Sequence, residues 1–225
     1  MNKDITIRCR NTGRSHRVAV GSTLEEVYRL LGIDMPLGPT SAKVNNKVEG
    51  LHFTLFTDKD VEYLDISSPS GMRTYTRSLF FMLYKAVRDL YPGAPLRIDT
   101  PMSNGYYCRL GLPGGVTPEV VDNLRRRMEE IVAADLPFHR ITCPTEEAVA
   151  RFRADGLEDK VKLLENIGAL YTTYYTLDDT AGYFYGSLAP STGYVTLFDI
   201  EPYYNGFYLA LPLRTSPDTL HRNVH

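Results

Sequence analysis

Cys108 and His139 are the two residues whose types could form a nucleophilic pair, a thiolate with an imidazole as its base. Such a pair must lie within hydrogen-bond reach, with something lowering the thiol pKa. Their spacing supplies neither, so two unrelated strand residues is the preferred reading. Of the histidines (16, 52, 139, 221, 225) only the last two recur at i,i+4, and they lie in the polar tail outside any helical pattern, so a histidine-built metal site is not expected and no metal ligands are assigned. Cys9, Cys108 and Cys143 form neither a disulfide framework nor a C-x-x-C knuckle. No glycine precedes a lysine, so the phosphate loop G-x-x-x-x-G-K-[ST] is missing, as are G-x-G-x-x-G, H-E-x-x-H and G-x-S-x-G. Ser187–Tyr194 is a small hydroxyl-rich loop that could offer N–H groups to an anion. No lysine or arginine occurs from Leu163 to Leu213, so a phosphate there would need charge from elsewhere. A turn held by side-chain-to-backbone bonds is the preferred reading.

That cation-free stretch also carries Glu165, Asp178, Asp179, Asp199 and Glu201, and nine of the chain's sixteen tyrosines: 171, 174, 175, 183, 185, 194, 203, 204 and 208. Base stacking on tyrosines needs cations along the nucleic-acid backbone. Their absence leaves sheet packing first and a protein or domain interface second. The 225 residues are 43% hydrophobic and 23% charged with net charge −2, which excludes wholesale disorder and gives no electrostatic footprint for nucleic acid or an anionic membrane. No apolar run is long enough to span a bilayer and the N-terminus has no hydrophobic signal segment, so a cytoplasmic location is expected.

The elements that must position these groups follow from periodicity. Ile5, Ile7 and Cys9 alternate with polar residues as a half-buried strand, Asn11-Thr12-Gly13 turns, and His16–Val20 returns. Ser22 with Glu25 reads as a capping box opening a helix that buries Leu24, Val27, Leu30 and Leu31 and stops at Gly32. Ala42–Asn45, a turn at Asn45-Asn46 and a strand ending Asp60–Leu64 complete a ββ-α-ββ unit. Ser67–Gly71 reads as a linker. The next helix, Met72–Tyr91, carries a stripe of Leu79, Met82, Leu83, Ala86, Val87 and Leu90, with Arg77, Phe81, Tyr84 and Arg88 facing away from it. Strands follow near Ile98 and at Tyr106–Leu110, and Thr117-Pro118 opens a helix with an apolar stripe from Val120/Val121 to Val132. Its Arg125–Arg127 and Glu129-Glu130 read as i,i+4 pairs on a solvated face. A strand at Phe138–Cys143 and two helices, Thr145–Arg153 and Leu157–Ile167, lead into the tyrosine-rich β segment.

Taken together, the two halves resemble a known pairing. The first unit is similar to the TGS domain, a ubiquitin-like β-grasp module. Tyr75–Val87 with Leu90–Ala94, Asn104–Tyr107 and Tyr183–Pro190 resemble, in that order, the editing region of threonyl-tRNA synthetases. That family carries H-x-x-x-H on the first helix and C-x-x-x-H further on. The matching positions here are Arg77 and Phe81, then Phe184 and Leu188, none of which can hold a metal or activate water. The resemblance therefore implies an editing fold without editing chemistry and no catalytic residue. Leu170–Tyr175, Gly186–Asp199 and Pro202–Gly206 are similar to the N-terminal region of bacterial uridine kinase-like nucleoside kinases, in which such a region precedes a P-loop kinase domain.

The expected fold is α+β: a β-grasp domain (1–66), a linker (67–71), an editing-like α+β domain resembling threonyl- and alanyl-tRNA synthetases (72–213), and a polar tail (214–225) read as a truncated linker. Nine basic residues balance nine acidic ones in 1–66, so the net −2 falls on the rest. The expected role is a non-catalytic module of a nucleoside kinase, its partner being the C-terminal kinase domain, with self-association as a further expectation and neither membrane nor nucleic acid. No cofactor is expected in this chain; ATP and Mg belong to the kinase domain. Tyr84, Arg88, Tyr183, Tyr185 and Tyr194, with the tyrosine-rich acidic face, are the candidate interface or ligand surface. The former cleft is expected between Phe81 and Phe184, plugged or turned into an apolar pocket. The competing readings are a deacylase of mischarged tRNA with replacement chemistry and a small-ligand sensor in that cleft.

Overall fold

The computed structural model describes residues 4–220, with side-chain placement through 216. Strands β1 (Asp4–Cys9), β2 (Arg14–Ala19), β3 (Ser41–Val44), β4 (Lys47–Glu49) and β5 (Lys59–Leu64) form one sheet in the order β2-β1-β5-β3-β4. β1 and β5 run parallel at its centre and the other pairs are antiparallel. This is a β-grasp arrangement: helix α1 (Leu24–Leu31) is the crossover that seals one face. Ile5, Ile7 and Cys9 are buried under it, so Cys9 is a packing thiol. The second strand pair expected from sequence is the β3–β4 hairpin, turned at Asn45 and Asn46 with φ of 47° and 69°; β5 stands apart and pairs with both β1 and β3.

Two expectations for α1 are corrected. The cap is Thr23, not Ser22: Glu26 N donates to Thr23 Oγ1 at 3.2 Å and Thr23 N to Glu26 Oε2 at 2.8 Å. Ser22 lies outside the helix, its N–H donating to Ala19 O and its carbonyl accepting from Leu55 N, and Glu25 instead takes Arg29 at 2.6 Å. Leu30 is 70% exposed. At about 100° per residue it points away from Leu24, Val27 and Leu31, and Tyr28 takes its place, its ring 5.2 Å from that of Tyr63.

The expected linker is largely helix. Ser68 caps α2 (Pro69–Leu90), accepting from Gly71 N at 3.0 Å, with Pro69 in the first turn, where its missing N–H costs nothing. A Cβ at Gly71 would run into the Asp65 carbonyl, and Thr40 Oγ1 donates to Gly71 O at 3.0 Å. The two halves are thus fastened together at the start of α2.

α2 is the axis of the second half. Leu79, Met82, Leu83, Ala86 and Val87 are buried as expected, while Leu90, the last residue of the helix, is 38% exposed. α3 (Pro118–Ala133) is capped by Thr117, buries Val121, Leu124, Met128 and Ile131, and packs on α2. The arginines of α3 do not make the expected i,i+4 pairs. Arg125 reaches Asp199 at 2.9 Å and the Ile200 carbonyl, Arg127 reaches Asp89 at 2.9 Å, and Arg126 bonds Asn123. Strands β6 (Leu96–Met102), β7 (Gly105–Leu110), β11 (Asp199–Tyr203) and β12 (Gly206–Ala210) form a sheet ordered β11-β12-β7-β6. β8 (Phe138–Pro144), β9 (Tyr171–Leu177) and β10 (Thr180–Gly182) form another, ordered β10-β9-β8. Helices α4 (Thr145–Ala154) and α5 (Glu158–Ile167) pack on the latter through Phe152, whose ring lies 5.3 Å from that of Tyr174. The start of the expected polar tail contains a hairpin strand, β14 (Ser216–Leu220), antiparallel to β13 (Pro212–Leu213); residues 221–225 lie outside the described residues.

Candidate functional site

Arg77, Phe81, Tyr84 and Arg88 follow one another along a single line of α2, as helical spacing requires. That line is not a solvent face. Phe81 is fully buried, because β8, β10 and the segment after β10 cover the side of α2 opposite its main stripe. Its ring centroid lies 5.1 Å from that of Phe184 and 6.0 Å from that of Phe138. Gly182 makes this possible: a Cβ there would stand 2.8 Å from both the Phe81 and Phe184 rings. The space between the two positions is therefore filled by ring carbon.

The segment after β10 is bolted to the same helix. Ala189 N donates to Ser78 Oγ at 2.7 Å, and Ser78 Oγ donates to Thr74 O at 2.8 Å. The Ser187 and Thr74 hydroxyls meet at 3.1 Å. Arg77 Nε donates to Ser187 O at 3.0 Å and Nη2 to Thr74 Oγ1 at 3.3 Å; burial lowers its pKa, with only neutral acceptors to offset that cost. Leu188 is buried in the same core. A guanidinium, two phenyl rings and an isobutyl group do not fit a metal or an activated water, and no cluster of three or more His, Cys, Asp or Glu that could hold a metal occurs among the described residues.

Cys108 and His139 are not brought together. Cys108 is buried on β7, its thiol directed at the Tyr106 carbonyl and its pKa pushed up to about 12 by burial, far from a working thiolate. His139 is exposed on β8, in the other sheet.

Two cavities flank the aromatic contact. One, of about 810 Å³, is lined by Phe80, Tyr84, Arg88, Leu96, Tyr183 and Phe184 among others. Arg88 Nη2 donates to Asp155 at 3.3 Å across it, while Arg88 Nη1 is buried without a hydrogen-bond partner. The other, of about 350 Å³, lies between the first sheet and β8–β9 and brings His52 of the first half beside Arg140 and Tyr185 of the second. Neither His52 nor Arg140 was legible as a site residue, since 88 positions separate them and no motif links them.

The acidic, tyrosine-rich face also needs correction. Cations from α2, α3 and α4 neutralise the cation-free stretch: buried Lys85 lies 3.0 Å from Asp179 and 3.6 Å from Asp178, Arg125 binds Asp199, and Arg153 binds Glu165 at 2.9 Å. Tyr174, Tyr175 and Tyr208 are core, whereas Tyr171, Tyr185 and Tyr204 are exposed. Tyr183 packs edge-on against Tyr185. Tyr194 is spent on an internal contact, its hydroxyl 3.3 Å from Glu25 and its ring against Gly38 of the first half.

Among known proteins, no family model matches the chain. It is similar to threonine–tRNA ligases. That of Desulforamulus reducens is 29% identical over 185 residues, covering 80% of this chain and 29% of the ligase. That of Pelobacter propionicus is 26% identical over 188 residues (84% and 30%), and that of Rubrobacter xylanophilus 26% over 189 (84% and 29%). The chain spans about three-tenths of the length of the curated relatives it matches. Among the described residues, no helix is long and apolar enough to cross a membrane.

Proposed function

We propose that this chain is a non-catalytic accessory module with an editing-like fold, serving a nucleoside kinase whose ATP and Mg chemistry resides in a separate C-terminal domain. The observation that carries the first part is the closure of Phe81 on Phe184 over Gly182. A deacylating centre needs a cavity for the ester, a polarised water and donors for the developing oxyanion. At the matching positions the chain offers stacked rings and an arginine already bonded to backbone and hydroxyl oxygens. The similarity to threonine–tRNA ligases supports the descent of the fold. The kinase partner rests on the resemblance of Leu170–Tyr175 and Gly186–Asp199 to the corresponding region of nucleoside kinases. The first half of the module is read as a TGS domain on the same ground.

Two measurements test this. Incubation with Ser-tRNA and Ala-tRNA should give no deacylation above the buffer rate; turnover that disappears in a Phe184 or Cys108 variant would overturn the non-catalytic reading. The reading frame beyond His225 should encode a strand followed by G-x-x-x-x-G-K-[ST], and its continuation into a ligase domain would remove the kinase from the proposal.

A further inference from the structure

The 350 Å³ cleft between the two halves has one more cation than carboxylate on its walls. Lys47 on its wall is already paired with Glu49 at 2.9 Å. Arg140, from β8, has the Tyr175 phenol as its polar neighbour and no carboxylate partner among the described residues. Arg77 lies just behind the cleft: its guanidinium stands 2.9 Å from where a Gly186 Cβ would be, so glycine lets the chain pass between cation and cavity. Arg77 too is bonded only to neutral oxygens. The His52 imidazole closes the side nearest the first sheet, packed over Gly50; burial and then the charge of Arg140 lower its pKa, against the opposing pull of the Glu49 carboxylate. One cation without a carboxylate partner, Arg140, thus faces a small space, with Arg77 behind Gly186 as a second positive charge screened by the chain. The charge that the hydroxyl-rich segment lacks in sequence is delivered to it by α2 and β8.

The mouth has a second unusual feature. Tyr171 and Tyr185 line it with 67% and 71% of their surface exposed. Exposed rings beside a cationic floor suit a ligand with a flat or apolar body and an anionic end.

We propose that this cleft binds a small phosphate monoester, the phosphate dianion on Arg140 and its organic body against Tyr171 and Tyr185. The planar Arg140 guanidinium can bind a phosphate bidentately, and the positive charge of Arg77 behind Gly186 adds to the field favouring a dianion there. The cavity lies at the small end of ligand pockets, which fits a phosphorylated metabolite and not a polymer. The proposal does not rest on the kinase-accessory reading, since it concerns only groups within this chain.

The test is calorimetric titration of the full chain at low salt with phenyl phosphate, inorganic phosphate and phenol, with the His52 imidazole resonances followed by NMR. Phenyl phosphate should bind one-to-one and more tightly than inorganic phosphate, phenol should not bind, and the His52 resonances should move to a higher apparent pKa on saturation. Arg140→Leu should weaken both phosphates by about tenfold or more, the loss expected for one charge-assisted pair. Arg140 is exposed, so this variant should melt as the wild type does; Arg140→Gln serves if it does not. Tyr185→Ala should remove only the advantage of phenyl phosphate. Equal affinity for the two phosphates would reassign the cleft to free phosphate and overturn the monoester. Absence of saturable binding at millimolar ligand, binding indifferent to Arg140, or unmoved His52 resonances would overturn the site altogether.

Discussion

Replacing Gly182 by alanine isolates the aromatic closure more cleanly than deleting either ring. Gly182 is buried but does not adopt a positive φ, so alanine meets no backbone penalty and the effect is steric. The new methyl would lie 2.8 Å from Phe81 Cε2 and from Phe184 Cε2, and 3.1 Å from Phe81 Cζ. Phe81 cannot retreat, being fully buried between α2 and Phe138; Phe184, half-buried, can swing toward the larger cavity. Forcing a methyl into a packed core costs about 1–3 kcal/mol. The available escape places Gly182→Ala near ~2 kcal/mol, which for a chain of this size lowers Tm by about 4–8 °C. Phe184→Leu alone should cost ~1 kcal/mol by lost burial. In the double variant the methyl finds the vacated space, so the two costs should fall short of additivity by ~1 kcal/mol or more. Thermal and urea melts of the four proteins measure the cycle. If Gly182→Ala is neutral within ~0.5 kcal/mol, or the two changes add, the rings are not packed as described and the argument for a closed site fails.

Three further outcomes follow from other sites. Asp179 has its pKa lowered, first by the hydrogen bond from Lys85; stability from this pair is therefore complete above the ordinary aspartate range near 4 and is lost as pH falls through the depressed value. Lys85→Met should flatten that acid limb of the stability profile. Asp178 and Asp179 are mostly exposed, and the more buried partner Asp89 keeps Arg127 at 2.9 Å, so that substitution should cost only about 1–2 kcal/mol near neutrality. In native protein at pH 8, alkylation read by mass spectrometry should label Cys143 well before Cys108, whose thiol needs a pH near 12; equal labelling would contradict its burial. Thr23→Ala should cost about 0.5–2 kcal/mol while Ser22→Ala costs less, the reverse order restoring Ser22 as the cap.

Much of the framework was written locally. The β1–β2 hairpin, the Thr117-Pro118 start of α3 and the stop of α1 at Gly32 each depend on residues within a turn or two, where capping, φ preference and periodicity act. The likeness to threonine–tRNA ligases was legible too, from the order of the motifs. Local rules misled wherever they were degenerate. Ser22/Glu25 and Thr23/Glu26 satisfy the same capping pattern, and the choice fell to Thr23 because the Ser22 backbone is already bonded to Ala19 and Leu55. Ser67–Gly71 has linker composition and a cap-plus-proline pattern at once, and the close approach of Gly71 to Asp65 made it helix.

The site itself was decided by packing. On a helical wheel Phe81 shares a line with Arg77 and Arg88 and reads as outward; periodicity sees one apolar stripe and is blind to a second layer made by residues 138–184. The cation-free stretch reads as an acidic face, yet Lys85, Arg125 and Arg153 arrive from other helices to neutralise it. His52 and Arg140 become neighbours only because the first sheet docks against β8 and β9. The sequence by itself determined the elements and their order, because those depend on side-chain identity and on interactions a few residues long. Which faces are covered, which charges are cancelled and where an uncompensated cleft remains was left to the tertiary structure, because burial and Coulomb energy depend on distance in space.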